Sequence, residues 1–403
     1  MRPRVSVRGH ALELLKGTQE FFPALIRDVD QALHEVHLET YILDFTAATA
    51  EVAQALLRAA QRGVKVRILV DGIGTGQLPA PWRKTFADAG VECQVYGPVG
   101  RFGLLSMRGW RRLHRKVCLI DGHVAFCGGI NLLDDFHDPN HGALAKPRWD
   151  FCVRVRGPLV QDVHRAMHDL WWRVKAVRRV GQREFNAAWQ AVQRLRVSGE
   201  AAAEPLPVGT GSLVRARLLL RDNLSNRSRI ERAYRRAIGK AREEIIIANA
   251  YFLPGRKMRE ALVHAARRGV RVILLLQGRY EYFLQYHASR PVYGPLLAAG
   301  IEIHEYAASF LHAKVAVVDG HWATVGSSNL DPLSLLLGRE ANVIVEDAAF
   351  ASQLRREILE ATHGDGVRVD PTRYASRPRS QRVLDWLAYG MVRLALLLTG
   401  WRY

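Results

Sequence analysis

LHRKVCLID, residues 113–121, runs directly into GHVAFCGGIN, and LHAKVAVVD, residues 311–319, runs into GHWATVGSSN. Both stretches carry one frame: His-x-Lys, four apolar residues, Asp, then Gly and Asn at fixed distances, every position recurring 198 residues later. The frame reads as a strand and a turn. Residues two apart on a strand face the same side, so His114 and Lys116 form one polar pair and His312 and Lys314 another. The apolar runs VCLI and VAVV suit strands covered on both faces. Asp-Gly between apolar runs is a hairpin signal. A two-residue turn would set Gly129 opposite His114 and Ser327 opposite His312, and would bring Asn131 and Asn329 back beside the basic pairs. Asp121 and Asp319 lie seven residues beyond the histidines, about 23 Å along a straight strand, so they are expected to shape the turn rather than join the chemistry.

The repeat extends outward from this frame. EVHLETYILDF followed by AEVAQALLRAAQRGVKVRILVDG in the first half matches EEIIIANAYFL followed by MREALVHAARRGVRVILLLQG in the second. Each reads as strand, one-faced helix, turn and strand, with Gly63 and Gly269 where the helix gives way to the strand. FADAGVECQVY and LLAAGIEIHEY continue the match, and Tyr41 aligns with Tyr251. Strands alternating with helices predict an α/β sheet with helices on both faces, duplicated into two pseudo-twofold lobes. SGEAAAEPLPVGTGS, residues 198–212, is the expected linker. It divides a first lobe, 1–197, from a second, 213–403, which ends in an apolar segment, 382–403.

A net charge of +19 on 403 residues predicts an anionic partner, nucleic acid or an acidic membrane surface. Cys118, Cys127 and Cys152 stand in apolar runs and, with Cys93, show no paired short spacing, so a reducing compartment is expected. The N-terminal residues lack a long apolar stretch, and no window of 18 residues is apolar without charges. A membrane-bound form is therefore expected to lie on the bilayer.

A His, a Lys and an Asn converging twice suit a phosphodiester. Ammonium and amide groups can hold phosphate oxygens and stabilise developing charge. One imidazole can attack phosphorus, and a second can protonate the leaving oxygen and then take a proton from the acceptor. Two histidines are needed because these jobs require opposite protonation states, and duplication supplies both. Each imidazole also needs a group to fix its tautomer. Asp150 in RWDFCVRV and Glu340 in GREANVIV, each near the start of an apolar run, are the candidates.

The duplicated His-x-Lys-x4-Asp frame with its downstream Gly-x-x-Asn resembles the phospholipase D superfamily over roughly residues 10–360. ETYIL, AAQRGVKVRILVDGIG, LHRKVCLIDGHVAFCGGIN and VGSSNLDPLSLLLGREANV are similar to the shorter type of bacterial cardiolipin synthase. Gly129 stands where the superfamily often has Ser or Thr, a hydroxyl that Ser327 keeps. The resemblance implies a duplicated α/β sandwich with one active site at the interface of its lobes, a phosphohistidine intermediate, and no metal or cofactor. It implies His114 as nucleophile and His312 as general acid and base. Lys116, Lys314, Asn131 and Asn329 would bind phosphate, and Asp150 and Glu340 would orient the histidines. The implied reaction transfers a phosphatidyl group between phosphatidylglycerol molecules and releases glycerol, on the cytoplasmic face of the cell membrane. A phospholipase D-type hydrolase or a nuclease is the alternative.

Three segments bear on lipid against nucleic acid. RFGLLSMRGWRRLHRK, residues 101–116, interleaves arginines with apolar residues, a pattern suited to headgroups and acyl chains. DLWWRVKAVRRV, residues 169–180, reads as a helix with paired tryptophans beside a basic face, in the core or on a membrane. RVLDWLAYGMVRLALLLTGWRY, residues 382–403, is apolar nearly all round with aromatics at its ends, as at a membrane interface or docked in the core. The Asp- and His-rich stretch 134–148 lacks metal-ligand spacing and reads as a polar insertion. DGIGTGQ, residues 71–77, has no Lys-Ser/Thr pair to close a phosphate loop.

Overall fold

Buried strands alternate with one-faced helices along nearly the whole chain, as the doubled pattern requires. The structure is a computed structural model that describes residues 7–98, 111–138, 140–182, 184–197, 214–222, 226, 228–331 and 338–398. The linker 198–212, residues 101–110 of the basic-apolar stretch and residues 399–403 lie outside the described residues.

The first half runs β1 (Val7–Lys16), α1 (Gly17–Asp30), β2 (Glu35–Thr40), α2 (Ala47–Gln61), β3 (Lys65–Asp71), α3 (Ala80–Asp88), β4 (Glu92–Tyr96), β5 (Arg112–Leu113), β6 (Lys116–Ile120) and β7 (Val124–Gly128). A short ribbon, β8 (His137–Asp138) and β9 (Gly142–Ala143), precedes β10 (Phe151–Arg156), α4 (Leu159–Gly181) and α5 (Phe185–Val197). The second half follows with β11 (Val214–Arg221), α6 (Arg229–Lys240), β12 (Glu244–Asn249), α7 (Arg256–Arg267), β13 (Arg271–Gln277), α8 (Phe283–Ala298), β14 (Glu302–Tyr306), β15 (Lys314–Val318) and β16 (Trp322–Gly326). Then come β17 (Gly338–Glu346), α9 (Ala348–Gly364), β18 (Gly366–Arg368), α10 (Pro371–Ala375) and α11 (Arg379–Leu398).

The chain forms two compact units that do not follow the halves of the sequence. One comprises Met1–Asp134, Cys152–Leu218 and Arg339–Val343; the other comprises Asp135–Phe151, Leu219–Gly338 and Ile344–Tyr403. In the first, the strand order β4-β3-β2-β6-β7 matches β14-β13-β12-β15-β16 in the second. β2, β3 and β4 are mutually parallel, and β6 runs antiparallel to both β2 and β7. β12 to β16 repeat this arrangement. Each unit has its own core. In one, Val52, Leu56, Ile68, Phe86 and Phe126 pack together; in the other, Tyr234, Ile247, Leu262, Leu274 and Leu296 do so.

The Arg-Gly-Val turns are matched helix caps. Gly63 has φ +88° and Gly269 φ +89°, where a side chain would be strained. Gly63 N–H donates to Ala60 O (2.9 Å) and Val64 N–H to Ala59 O (3.1 Å), and Gly269 and Val270 repeat both bonds at 2.9 and 3.1 Å. These are Schellman caps that end the helix and start the next buried strand.

The hairpin differs from the two-residue turn expected. Lys116 pairs with Gly128 and Ile120 with Val124, one residue later than that turn would give. Asp121 and Gly122 both have positive φ, and His123 N–H closes on Ile120 O (3.0 Å). His123 is then an extra residue before pairing resumes. Val318 pairs with Trp322 around the same turn in the second copy. Neither Gly129 nor Ser327 is therefore the residue in register opposite its histidine.

Of the paired tryptophans, Trp171 is fully buried with Leu69, Leu113 and Leu170, and Trp172 packs against that cluster. The core reading of residues 169–180 holds for both rings. In the stretch 71–77, Asp71 is buried and accepts from the backbone N–H of Ile73 (2.7 Å), Gly74 (3.1 Å) and Leu113 (2.7 Å), which makes this loop a structural turn.

Candidate functional site

His114 lies between β5 and β6, two residues ahead of Lys116 where β6 begins, and His312 stands two residues ahead of Lys314 where β15 begins. Lys116 and Lys314 are buried, and each ammonium bonds back to its own histidine's carbonyl: Lys116 Nζ to His114 O at 2.7 Å, and Lys314 Nζ to His312 O. Charged donors fixed to the backbone in this way hold their position at little entropic cost.

The carboxylates come from across the sequence. In the first unit His114 Nδ1 lies 3.0 Å from Glu340 Oε1 and 3.1 Å from Oε2. In the second, His312 Nδ1 lies 2.6 Å from Asp150 Oδ2. Both carboxylates are buried while the imidazoles keep 18% and 17% of their side-chain surface. An Nδ1–H donated to a buried carboxylate fixes the tautomer and leaves Nε2 to carry out chemistry.

Backbone stitching explains the pairing. His114 N–H donates to Arg339 O (3.1 Å), so the start of β17 runs beside the approach to His114. His312 and Ala313 N–H both donate to Trp149 O, at 2.9 and 3.0 Å, and Trp149 N–H donates to Phe310 O (2.9 Å). The stretch 134–148 leads into this second contact. Within it Asp138 is tied to His141 (2.9 Å) and Arg148 (2.8 Å).

Asp121 and Asp319 stand at the far ends of β6 and β15 from the histidines, and each latches its hairpin to the chain entering the neighbouring strand. Asp121 accepts from Leu33, His34 and Glu35 N–H, each at 2.8 Å. Asp319 accepts from Arg242, Glu243 and Glu244 N–H at 2.9, 2.9 and 3.0 Å. Burial alone would raise the Asp319 carboxyl; the three amide donors outweigh it and hold its pKa below the ordinary value.

The asparagines sit just past β7 and β16. Asn131 Oδ1 accepts from Ile42 N–H (3.3 Å), beside the bonds that tie Asp44 N–H to Leu132 O (2.8 Å) and Leu132 N–H to Ile42 O (3.1 Å). Asn329 is buried next to Leu330, whose N–H donates to Asn249 Oδ1 (3.1 Å). Ser327 is fully buried immediately after β16.

Two residues gain a place that their recurrence alone did not assign. The Tyr41 ring centre is 5.0 Å from the His114 ring and 5.4 Å from Lys116 Nζ, a cation–π distance. Tyr251, its counterpart, instead donates to Glu281 Oε2 at 2.7 Å. It lines a cleft of about 600 Å³, counting space open to solvent, with Phe252, Leu276, Glu281, Tyr293 and Val392. Burial raises the Glu281 carboxyl, although the bond from Tyr251 and the Lys314 charge oppose that shift.

The units also differ inside the motif. Arg115, between His114 and Lys116, is buried with its guanidinium on both Glu39 oxygens (Nη2 to Oε1 2.8 Å) and on Ala166 O (3.1 Å). At the corresponding positions the second unit has Ala313 and Asn249.

Comparison with known proteins matches residues 25–169 and 234–361 to the family described as cardiolipin synthase, phospholipase D-like domain. Cardiolipin synthase B of Escherichia coli K12 is 37% identical over 98% of this chain and 90% of its own length. Cardiolipin synthase A of Erwinia tasmaniensis is 31% identical over 95% of this chain and 75% of its own. Among solved structures, phosphatidylserine synthase of Haemophilus influenzae Rd KW20 superposes with a TM-score of 0.63 at 12% identity, covering 95% of this chain and 93% of that one, a likeness of fold.

Proposed function

The chain belongs to the cardiolipin synthase family of phospholipase D-like phosphatidyltransferases, and from that premise we propose that it condenses two phosphatidylglycerol molecules into cardiolipin and glycerol. The observation that carries the reading is the paired arrangement of imidazole, buried carboxylate and backbone-tied lysine, present once in each unit.

His114 Nε2 attacks the phosphorus of the donor. A nitrogen–phosphorus bond forms as the bond to the glycerol oxygen breaks, and His312, protonated at Nε2, gives that oxygen its proton. His312 then removes the proton of a glycerol hydroxyl on the second phosphatidylglycerol. That oxygen attacks the phosphatidyl-histidine, the nitrogen–phosphorus bond breaks, and His114 returns neutral. Glu340 and Asp150 hold the rings by Nδ1 and stabilise each imidazolium as it forms. Lys116, Lys314, Asn131 and Asn329 take the phosphate oxygens, and a buried ammonium aimed at developing charge is worth more than one in water. Ser327 adds a hydroxyl on the second side. This chemistry draws on side chains alone. We place the enzyme peripherally on the cytoplasmic face of the membrane. Among the described residues no helix is long and apolar enough to cross a bilayer.

The test is product analysis after incubating purified protein with phosphatidylglycerol vesicles in EDTA. Equal amounts of cardiolipin and glycerol are expected. Phosphatidic acid alone would make the enzyme a hydrolase, and unchanged lipid with cleavage of DNA would make it a nuclease.

A further inference from the structure

The C-terminal helix α11 has two unlike faces. Asp385, Ala388, Val392 and Leu396 are buried, and the last three cluster with Ala288 of α8. Asp385 is held by His287 Nδ1 (2.7 Å) and Arg377 Nη1 (3.0 Å). Val383, Leu384, Trp386, Leu387, Met391 and Leu394 are exposed, Trp386 at 60% and Leu387 at 62%. Val383, Leu387, Met391 and Leu394 follow one another at four, four and three residues, so they form a single outward stripe. A run of exposed large apolar side chains on one helix marks an interaction surface.

Charge selects the occupant. The one acid of α11 is the buried Asp385, whereas Arg379, Arg382 and Arg393 are exposed beside the apolar stripe. A second copy of the chain packed on this face by a twofold axis would bring arginine against arginine. A bilayer of anionic phospholipid offers acyl chains to the stripe and phosphates to its basic edge. The apolar surface also continues toward the cleft. Tyr280, Tyr282 and Phe283 are exposed ahead of and at the start of α8, and the Phe283 ring lies 4.7 Å from that of His287, the partner of Asp385. Tyr282 and Val392 both line the cleft that holds Tyr251 and Glu281.

We propose that the outward face of α11, extended by Tyr280, Tyr282 and Phe283, is the surface by which the second unit docks on anionic phospholipid, with the arginines at the phosphates. The inference rests on the lipid reading for its choice of partner, but binding is read without turnover, so the two can fail separately.

The experiment is vesicle co-sedimentation of the full chain. The probes are phosphatidylethanolamine vesicles containing about a third phosphatidylglycerol, and phosphatidylcholine vesicles. Wild type should bind the anionic vesicles and release them as salt rises. Leu387→Glu with Met391→Glu replaces two exposed side chains, and is expected to keep the wild-type circular dichroism and melting curve while losing at least about tenfold in vesicle affinity. Arg379→Gln with Arg382→Gln and Arg393→Gln should lose the preference for anionic over phosphatidylcholine vesicles. Unchanged vesicle binding by the double variant would overturn the proposal. So would a variant that leaves binding intact but converts a wild-type dimer to a monomer in sedimentation velocity, which would assign the face to self-association.

Discussion

At the scale of single residues, the decisive contacts join distant parts of the chain. His114 and Glu340 are 226 residues apart, and His312 and Asp150 are 162 apart. Removing a carboxylate's charge while keeping its shape isolates the orienting role. Glu340→Gln or Asp150→Asn is expected to lower the rate of cardiolipin formation about 10²–10⁴-fold with little loss of melting temperature. The histidines and lysines were legible in the sequence because they recur at one spacing. The carboxylates were legible as candidates only, since spacing along one strand says nothing about which imidazole a carboxylate meets after a crossover. The Arg115–Glu39 pair gives a second test. Arg115→Ala leaves a buried carboxylate without its cation and is expected to cost about 3–5 kcal/mol. Adding Glu39→Asn, which reproduces the pair found in the second unit, should recover most of that loss in a denaturant titration. No recovery would mean that Arg115 acts chiefly through Ala166.

At the scale of elements, Asp121 and Asp319 explain why a hairpin turn carries a motif residue far from the chemistry. Each carboxylate gathers three amide groups from the turn entering the adjacent strand and so fixes the hairpin's place in the sheet. Their structural role was legible from distance along the strand. The one-residue change of register was not, because His123 and His321 look like ordinary strand residues until the turn's positive φ angles are known. The folded Asp319 carboxyl sits below its ordinary value. Its contribution is therefore fully present above about pH 4, the unfolded carboxylate range, and fades as pH falls through the lower folded value. The stability gap between wild type and Asp319→Asn, measured by urea unfolding, should be constant near neutrality and shrink in acid. A gap independent of pH would assign the latch to packing instead of charge.

At the scale of the whole molecule, alternating strands and helices made the duplicated α/β fold readable, since each copy repeats its caps and buried runs. The exchange of residues 135–151 and 339–343 between the two units was hidden. It depends on backbone bonds at Trp149 and Arg339 that leave no local pattern. The exchange predicts that either half expressed alone, divided within 198–212, is inactive for want of the carboxylate its histidine uses. Co-expression of the halves should restore cardiolipin formation, and activity in an isolated half would contradict the exchange.

In the proposed reaction the two copies of one motif perform opposite steps of a single transfer, with His114 as the nucleophile. This assignment is tested most directly by mixing the enzyme with phosphatidylglycerol carrying labelled phosphate, quenching within one turnover, and locating the label by peptide mass spectrometry. Phosphatidyl is expected on His114, absent in His114→Ala, and formed far more slowly in His312→Ala, which lacks the acid for the leaving glycerol oxygen. Label on His312, or full turnover by either alanine variant, would contradict the assignment.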